Sequence, residues 1–262
     1  MADWGIFSGS NRYQSQTLVL PTCGLNSKGS WAQVTASLPF DVCGVVVQWR
    51  GNASTSYRAL IDVGIGAAGA EQVIIPNLAG GNVSSTEDVY NQPIIFPVEI
   101  PAGTRVAVRG ASNFTLAGQV SIGFIGSAID SLPVFNRITD YGTDAASSSG
   151  TFITMPSSGT GSWVQLAAST ADAIRMLGIM VVSNSATNNI EFKLDVGVGA
   201  AGSEQVLLSQ LNLMGRANTR GVFPQHLFWF PVDIPAGTRL ATRLTFIGGG
   251  VSNFYVSLMG AR

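Results

Sequence analysis

Asp62-Val63-Gly64-Ile65-Gly66-Ala67-Ala68-Gly69-Ala70-Glu71-Gln72-Val73-Ile74-Ile75 returns 133 residues later as Asp195-Val196-Gly197-Val198-Gly199-Ala200-Ala201-Gly202-Ser203-Glu204-Gln205-Val206-Leu207-Leu208, with ten of fourteen positions identical. The other four changes are conservative. A second block, Phe96-Pro97-Val98-Glu99-Ile100-Pro101-Ala102-Gly103-Thr104-Arg105, recurs from Phe230 to Arg239 at an offset of 134, with only the acid changed, to Asp233. Upstream, Gly29-Ser30-Trp31-Ala32-Gln33 matches Gly161-Ser162-Trp163-Val164-Gln165 at an offset of 132, and Gly126 matches Gly260 downstream. Blocks in the same order at nearly constant spacing mark a duplicated domain, and two copies are too few for a solenoid. The reading divides the chain into a first unit over 1–126, a linker or long loop over 127–150, and a second unit over 151–262. The small polar run Asp144-Ala145-Ala146-Ser147-Ser148-Ser149-Gly150 supports the linker.

Each unit reads as β. Segments rich in Val, Ile, Phe and Thr alternate with Gly, Pro, Asn and Ser clusters: Thr17 to Leu20, Gly44 to Trp49, Tyr57 to Val63, Gln72 to Ile75, Pro93 to Ile100, Arg105 to Val108 and Gln119 to Phe124. Ile100-Pro101-Ala102-Gly103 suits a type I turn with proline second and glycine fourth. Helical periodicity is confined to a possible short turn near Ser169 to Met176. About eight strands per copy predict an all-β chain, a tandem duplication of a jelly-roll-like antiparallel β-sandwich.

Charged residues make up 11% of the chain, against about 25% in a typical soluble domain, while apolar residues reach 46% and mean hydropathy is +0.30. No apolar run is long enough for a spanning helix, since Val120 to Ile129 is interrupted by Ser121, Gly123, Gly126 and Ser127. Met1 to Gln16 lacks the apolar stretch of a secretory signal, so synthesis in a cytoplasm is expected, and no membrane partner. The net charge is −1 and the only lysines are Lys28 and Lys193, which leaves no basic stripe for nucleic acid. Neutral surface that one monomer cannot hide predicts a homo-oligomer, most plausibly a trimer, with interfaces of roughly 1,200–2,000 Å². Ala79 to Gln92 and Asn212 to Gln225 differ most between copies and are the expected copy-specific contacts.

Candidate chemistry is sparse. The single histidine, His226, sits in an apolar run with no base or nucleophile beside it and no counterpart in the first copy. Cys23 and Cys43 are likewise unmatched, which predicts reduced, buried thiols rather than a framework disulfide or zinc site. The charged residues that do recur are Asp62, Glu71, Glu99 and Arg105, with Asp195, Glu204, Asp233 and Arg239. Paired carboxylates could serve a glycosidase, and the Asp62 and Asp195 loops could take Ca²⁺, but structural roles rank first. A cross-strand pair of Arg105 with Glu99, and of Arg239 with Asp233, is expected to pin each tight turn. Gly64-x-Gly66-x-x-Gly69 imitates a dinucleotide fingerprint, but no helix follows it. Trp31 and Trp163 read as core anchors ahead of sugar platforms. A cupin-like enzyme would need several histidine ligands. No catalytic, cofactor-binding or metal residue is assigned, and no cofactor is expected.

At the two repeated blocks, above all Phe-Pro-Val-[Glu/Asp]-Ile-Pro-Ala-Gly-Thr-Arg, the chain resembles β-rich virion proteins of tailed bacteriophages, the capsid decoration, cement, fibre-base and tail-accessory proteins. The resemblance covers the central half of each copy. It implies a non-enzymatic structural protein, located in the virion and assembled in the host cytoplasm as a homo-oligomer with major capsid or tail proteins as partners. A host-receptor or carbohydrate-binding virion protein, adhesin-like or lectin-like, is the alternative. No site residue carries over from such families, which are defined by fold and assembly.

Overall fold

The computed structural model describes residues 13–19, 23, 25–50, 57–82, 93–114, 119–126, 135–184, 189–215, 222–223, 229–250 and 253–262. His226, and much of the two loops expected to differ between copies, lie outside them. The described chain is built of β-strands with one 3-10 turn, Ala145–Ser147. In the first copy the strands are β1 (Tyr13–Val19), β2 (Ala32–Thr35), β3 (Val42–Arg50), β4 (Tyr57–Ile65), β5 (Gln72–Asn82), β6 (Ile94–Phe96), β7 (Val106–Ser112) and β8 (Gln119–Gly126). Seven match the expected segments, and β2 is the one that sequence reading passed over. The possible helical turn near Ser169 to Met176 is absent, since Ile174 opens a strand.

Next come β9 (Ile138–Tyr141), β10 (Thr143–Asp144), β11 (Ser149–Thr154), β12 (Val164–Ala167), β13 (Ile174–Ser183) and β14 (Ile190–Val198). The chain closes with β15 (Gln205–Gly215), β16 (Val222–Phe223), β17 (Trp229–Ile234), β18 (Leu240–Gly249) and β19 (Asn253–Ala261). Residues 138–150, read from sequence as linker, are therefore strand and 3-10 turn, and β9 pairs with β19. Small polar residues are compatible with a short edge strand as well as with a loop, so composition did not distinguish the two.

Both copies have one topology. The first forms sheets in the orders β1-β8-β3-β6 and β2-β7-β4-β5; the second forms β11-β19-β13-β17 and β12-β18-β14-β15, with β9, β10 and β16 added at margins. The duplicated blocks thus fall on equivalent strands, and every named strand pair is antiparallel. Two four-stranded sheets with these interleaved orders make each copy a jelly roll.

Strand alternation sets the cores. Val45 and Val47 on β3 and Ile122 and Phe124 on β8 face Ile61 and Val63 on β4 and Val106 and Val108 on β7 in one cluster. Leu177, Phe192, Leu194, Val196, Phe254, Val256 and Leu258 form the second. The first cluster also takes in Ile138, Met180, Met259 and Ala261 from the second copy's sheet. Strand β5 of the first copy thereby packs against β9 and β13, and β6 meets β17. Phe96 meets Trp229 edge-on at 6.1 Å, and the Trp229 indole N–H donates to the Ile95 carbonyl at 3.1 Å. At the far end of the contact the Arg58 guanidinium donates to Asn184 Oδ1 at 2.9 Å and lies 4.3 Å over the Tyr255 ring.

The turn after β6 differs from expectation. The Thr104 N–H donates to the Pro101 carbonyl at 3.3 Å, and Gly103 stands at φ +80°. The turn therefore runs from Pro101 to Thr104 with glycine third, as type II requires, rather than type I one residue earlier.

Candidate functional site

Of the recurring charged residues, Asp62, Glu71 and Arg105 build two clusters in the first copy, and Asp195, Glu204 and Arg239 repeat them in the second. The first centres on Asp62, 3% exposed, on the face of β4 turned away from the core. Opposite it the β4–β5 ladder slips by one residue, because Ile61 pairs with Leu78 but Val63 pairs with Ile75. This bulge puts Asn77 at φ 45° and takes its N–H out of the ladder. That N–H donates to Asp62 Oδ1 at 2.8 Å. Lys28 Nζ reaches the same oxygen at 2.7 Å, and Arg109 Nε, from the cross-strand position on β7, reaches Oδ2 at 2.8 Å. Burial pushes the Lys28 ammonium below its ordinary pKa, with Asp62 opposing that shift.

Asp195 repeats this geometry. The slip recurs between Leu194 and Val196, Gln210 stands at φ 53°, and its N–H donates to Asp195 Oδ1 at 2.7 Å. Arg243 Nε meets Asp195 Oδ2 at 2.8 Å. The Lys28 position is taken by Thr160, which bonds to Thr245 at 2.9 Å. Trp31 and Trp163 complete the clusters: the Arg109 and Arg243 guanidinium carbons lie 4.6 and 4.5 Å over their rings. The glycines of the repeated block make room for them. A Cβ on Gly64 would meet Trp31 Cη2 at 2.6 Å, and one on Gly197 would meet Trp163 Cη2 at 2.8 Å. The indoles are thus packed on the outer face of a sheet, under an arginine, rather than in the sandwich core.

The second cluster closes the glycine turn of the same block. Arg105 pairs with Glu71 at 2.8 Å, donates from Nε to Gln33 at 3.1 Å and from Nη1 to the Gly66 carbonyl at 3.1 Å. Glu71 also accepts the Gly69 N–H at 3.0 Å. Arg239, Glu204, Gln165, Gly199 and Gly202 repeat every one of these bonds. Burial acts to raise both glutamate pKa values. It is outweighed by backbone N–H donors and the arginine, so both carboxyls sit below the ordinary value.

The expected pairs of Arg105 with Glu99 and of Arg239 with Asp233 are not formed. Glu99 is exposed, and Asp233 instead meets Arg175 at 2.6 Å on the surface. The reason is topological: the Pro101 turn carries the chain from one sheet to the other, so its flanks are not neighbouring strands. Sequence reading also missed Lys28, Arg109, Arg243, Asn77 and Gln210. Arg109 and Arg243 recur four residues after the second block and were findable, whereas Asn77 and Gln210 act through backbone N–H groups, which leave no side-chain signature.

Chemically these arrangements hold cations and amides against buried carboxylates. Both oxygens of Asp62 and of Asp195 accept hydrogen bonds from cations or backbone, so a Ca²⁺ ion on either carboxylate would share it with the arginine's charge. Among the described residues no three His, Cys, Asp or Glu side chains converge as metal ligands. Cys43 donates its thiol to the Gly126 carbonyl at 3.2 Å, and neither it nor Cys23 is in a disulfide. Burial pushes the Cys23 thiol up.

No protein-family model and no curated protein matches the chain. Among solved structures it is similar to PNGF-II in two crystal forms, with TM-scores of 0.43 and 0.47, identities of 9% and 8%, and 95% and 96% of this chain covered. The chain spans 66% and 65% of those two chains, just under two thirds of their length. The major capsid protein P2 of bacteriophage PM2 is similar at a TM-score of 0.31 and 9% identity, over 95% of this chain and 98% of that one. A structure of infectious bursal disease virus, Gt strain, follows at 0.28 and 12%, over 99% and 73%.

Two outcomes follow from the clusters. Asp62→Asn leaves Lys28 and Arg109 facing a neutral group and should cost roughly 2–4 kcal/mol in chemical denaturation; Asp195→Asn, which strands one cation, should cost less. Equal losses would show that the Lys28 pair contributes nothing. Because the Glu71 and Glu204 pKa values are lowered on folding, their contribution is complete above the ordinary value of 4.5 and is lost as pH falls through the folded value. Stability should therefore fall on acidification below pH 4.5, and the double variant Glu71→Gln, Glu204→Gln should flatten that acid limb in pH-dependent melting curves.

Proposed function

We propose that this chain is a non-enzymatic structural component of a virion of the tailed-bacteriophage type, decorating or stabilising a capsid or tail as a homo-oligomer. Its partners on this reading are further copies of itself and major capsid or tail proteins, met in the host cytoplasm.

The observation that carries the reading is the use to which the duplicated charges are put. Asp62, Glu71 and Arg105, with Asp195, Glu204 and Arg239, are bonded to one another or to neighbouring strands. An enzyme keeps a base, acid or nucleophile addressed to a cleft. Here the repeated chemistry is spent on strand geometry, which supports a scaffold role. Low charge and a doubled jelly roll agree with burial among neighbours in an assembly. The carbohydrate-binding alternative loses its best platforms, because an arginine caps each repeated indole.

Mass spectrometry of purified particles tests the proposal. The chain should be present in stoichiometric proportion to a capsid or tail protein. Absence from particles, or a specific signal on a glycan array, would overturn it.

A further inference from the structure

The Asp62 cluster differs from the Asp195 cluster at two residues that address one carboxylate of the other copy. Asn77 stands where the second copy has Gln210, and Lys28 stands where it has Thr160. Asn77 gives its backbone N–H to Asp62, while its side-chain amide donates across the junction between the copies to Asp140 Oδ2 at 3.1 Å. Thr143 donates to the same oxygen. Burial and Arg109 work against the Lys28 charge; Asp62 and, from across the junction, Asp140 support it. Gln210 and Thr160 are exposed, and Gln210 accepts from Lys193 of its own sheet at 2.9 Å.

The junction that Asn77 and Lys28 border is not fully matched. Ile138, Met180 and Met259 give it an apolar face that the first core covers. Ile75 and Leu78 are fully buried in that core, whereas Leu208 and Leu211, their counterparts, are half-buried. Yet Ser257 Oγ, beside Met180 in the ladder, and Arg58 Nε are buried with no hydrogen-bond partner. Among the described residues, four that are not glycine stand at positive φ. Three of them, Asn26, Asn77 and Ser148, lie at this boundary, where Ser148 Oγ donates to Asn26 Oδ1 at 3.1 Å. Orphaned polar atoms and left-handed backbone weaken a boundary relative to the sheets it joins. We propose that Asn77 and Lys28, acting on Asp140, are a latch that holds the first copy over Ile138, Met180 and Met259, and that the chain opens at this junction when the latch is released.

Methionine oxidation of the full chain by dilute hydrogen peroxide, read by peptide mass spectrometry, gives the test. Met180 and Met259, 6% and 0% exposed, lie under the first copy, whereas Met155, 2% exposed, lies in the second copy's own core. Asn77→Gly suits the positive φ, keeps the backbone bond to Asp62 and removes the side-chain bond to Asp140. Lys28→Thr installs the residue with which the second copy folds. Each variant should speed oxidation of Met180 and Met259 about fivefold, the factor that one net hydrogen bond carries. Oxidation of Met155, and alkylation of Cys43 buried in the first copy, should stay at wild-type rates. Lys193→Thr should change none of the four rates. Wild-type rates at Met180 and Met259 in either latch variant would overturn the proposal. So would a rise shared by Met155 or Cys43, because a whole copy would then be unfolding rather than the junction opening.

Discussion

One constraint recurs wherever the two copies are alike: a β-bulge frees a backbone N–H on an otherwise paired strand, and a buried carboxylate on the neighbouring strand accepts it. An unpaired buried amide costs about 1–3 kcal/mol, and an unpaired buried carboxylate costs more. Asp62 and Asp195 remove both penalties at once, and their remaining oxygen draws in Arg109 or Arg243 from the opposite neighbour. One side chain thus fixes the register of three strands, β5-β4-β7 and β15-β14-β18. The arginine, so held, lies over a tryptophan, and the tryptophan requires glycine two residues beyond the aspartate. The Asp-Val-Gly motif is this chain of requirements written in sequence.

The Arg105–Glu71 and Arg239–Glu204 pairs perform a similar task at the end of the same strands, where the glycine turn exposes its carbonyls and amides. With so few charges in the chain, most of those shared by the copies are committed to internal geometry. The contact between the copies includes polar groups, with Arg58 donating to Asn184 and lying over Tyr255, and Asn77 donating to Asp140. Phe96 against Trp229, and Met180 and Met259 under the first core, supply its apolar part.

The fold was readable to the extent that side chains repeat. The offsets between blocks predicted two copies of one topology, and strand orders on both sides agree. Strand β2 escaped notice because Ala32–Thr35 is short and mixed, and it is a strand through pairing with β7 rather than through its own pattern. Arg105 pairs with Glu71 rather than with Glu99, its neighbour in sequence, because the jelly roll crosses between sheets at the intervening turn. The bulges were invisible for a deeper reason: their functional group is a backbone amide, and Asn77 and Gln210 share no side-chain chemistry that this bond uses. Burial differences between the copies likewise arise from packing that neither copy's sequence contains alone.

Amide hydrogen exchange measured residue by residue puts the central constraint to its most direct test. Asn77 and Gln210 lie on the outermost long strands of their sheets at bulges, positions whose amides ordinarily exchange quickly. If the buried carboxylates hold them, both should exchange as slowly as ladder amides of β4 and β14, and Asp62→Asn should accelerate Asn77 while leaving Gln210 unchanged. Rapid exchange of both amides in the wild-type chain would contradict the account.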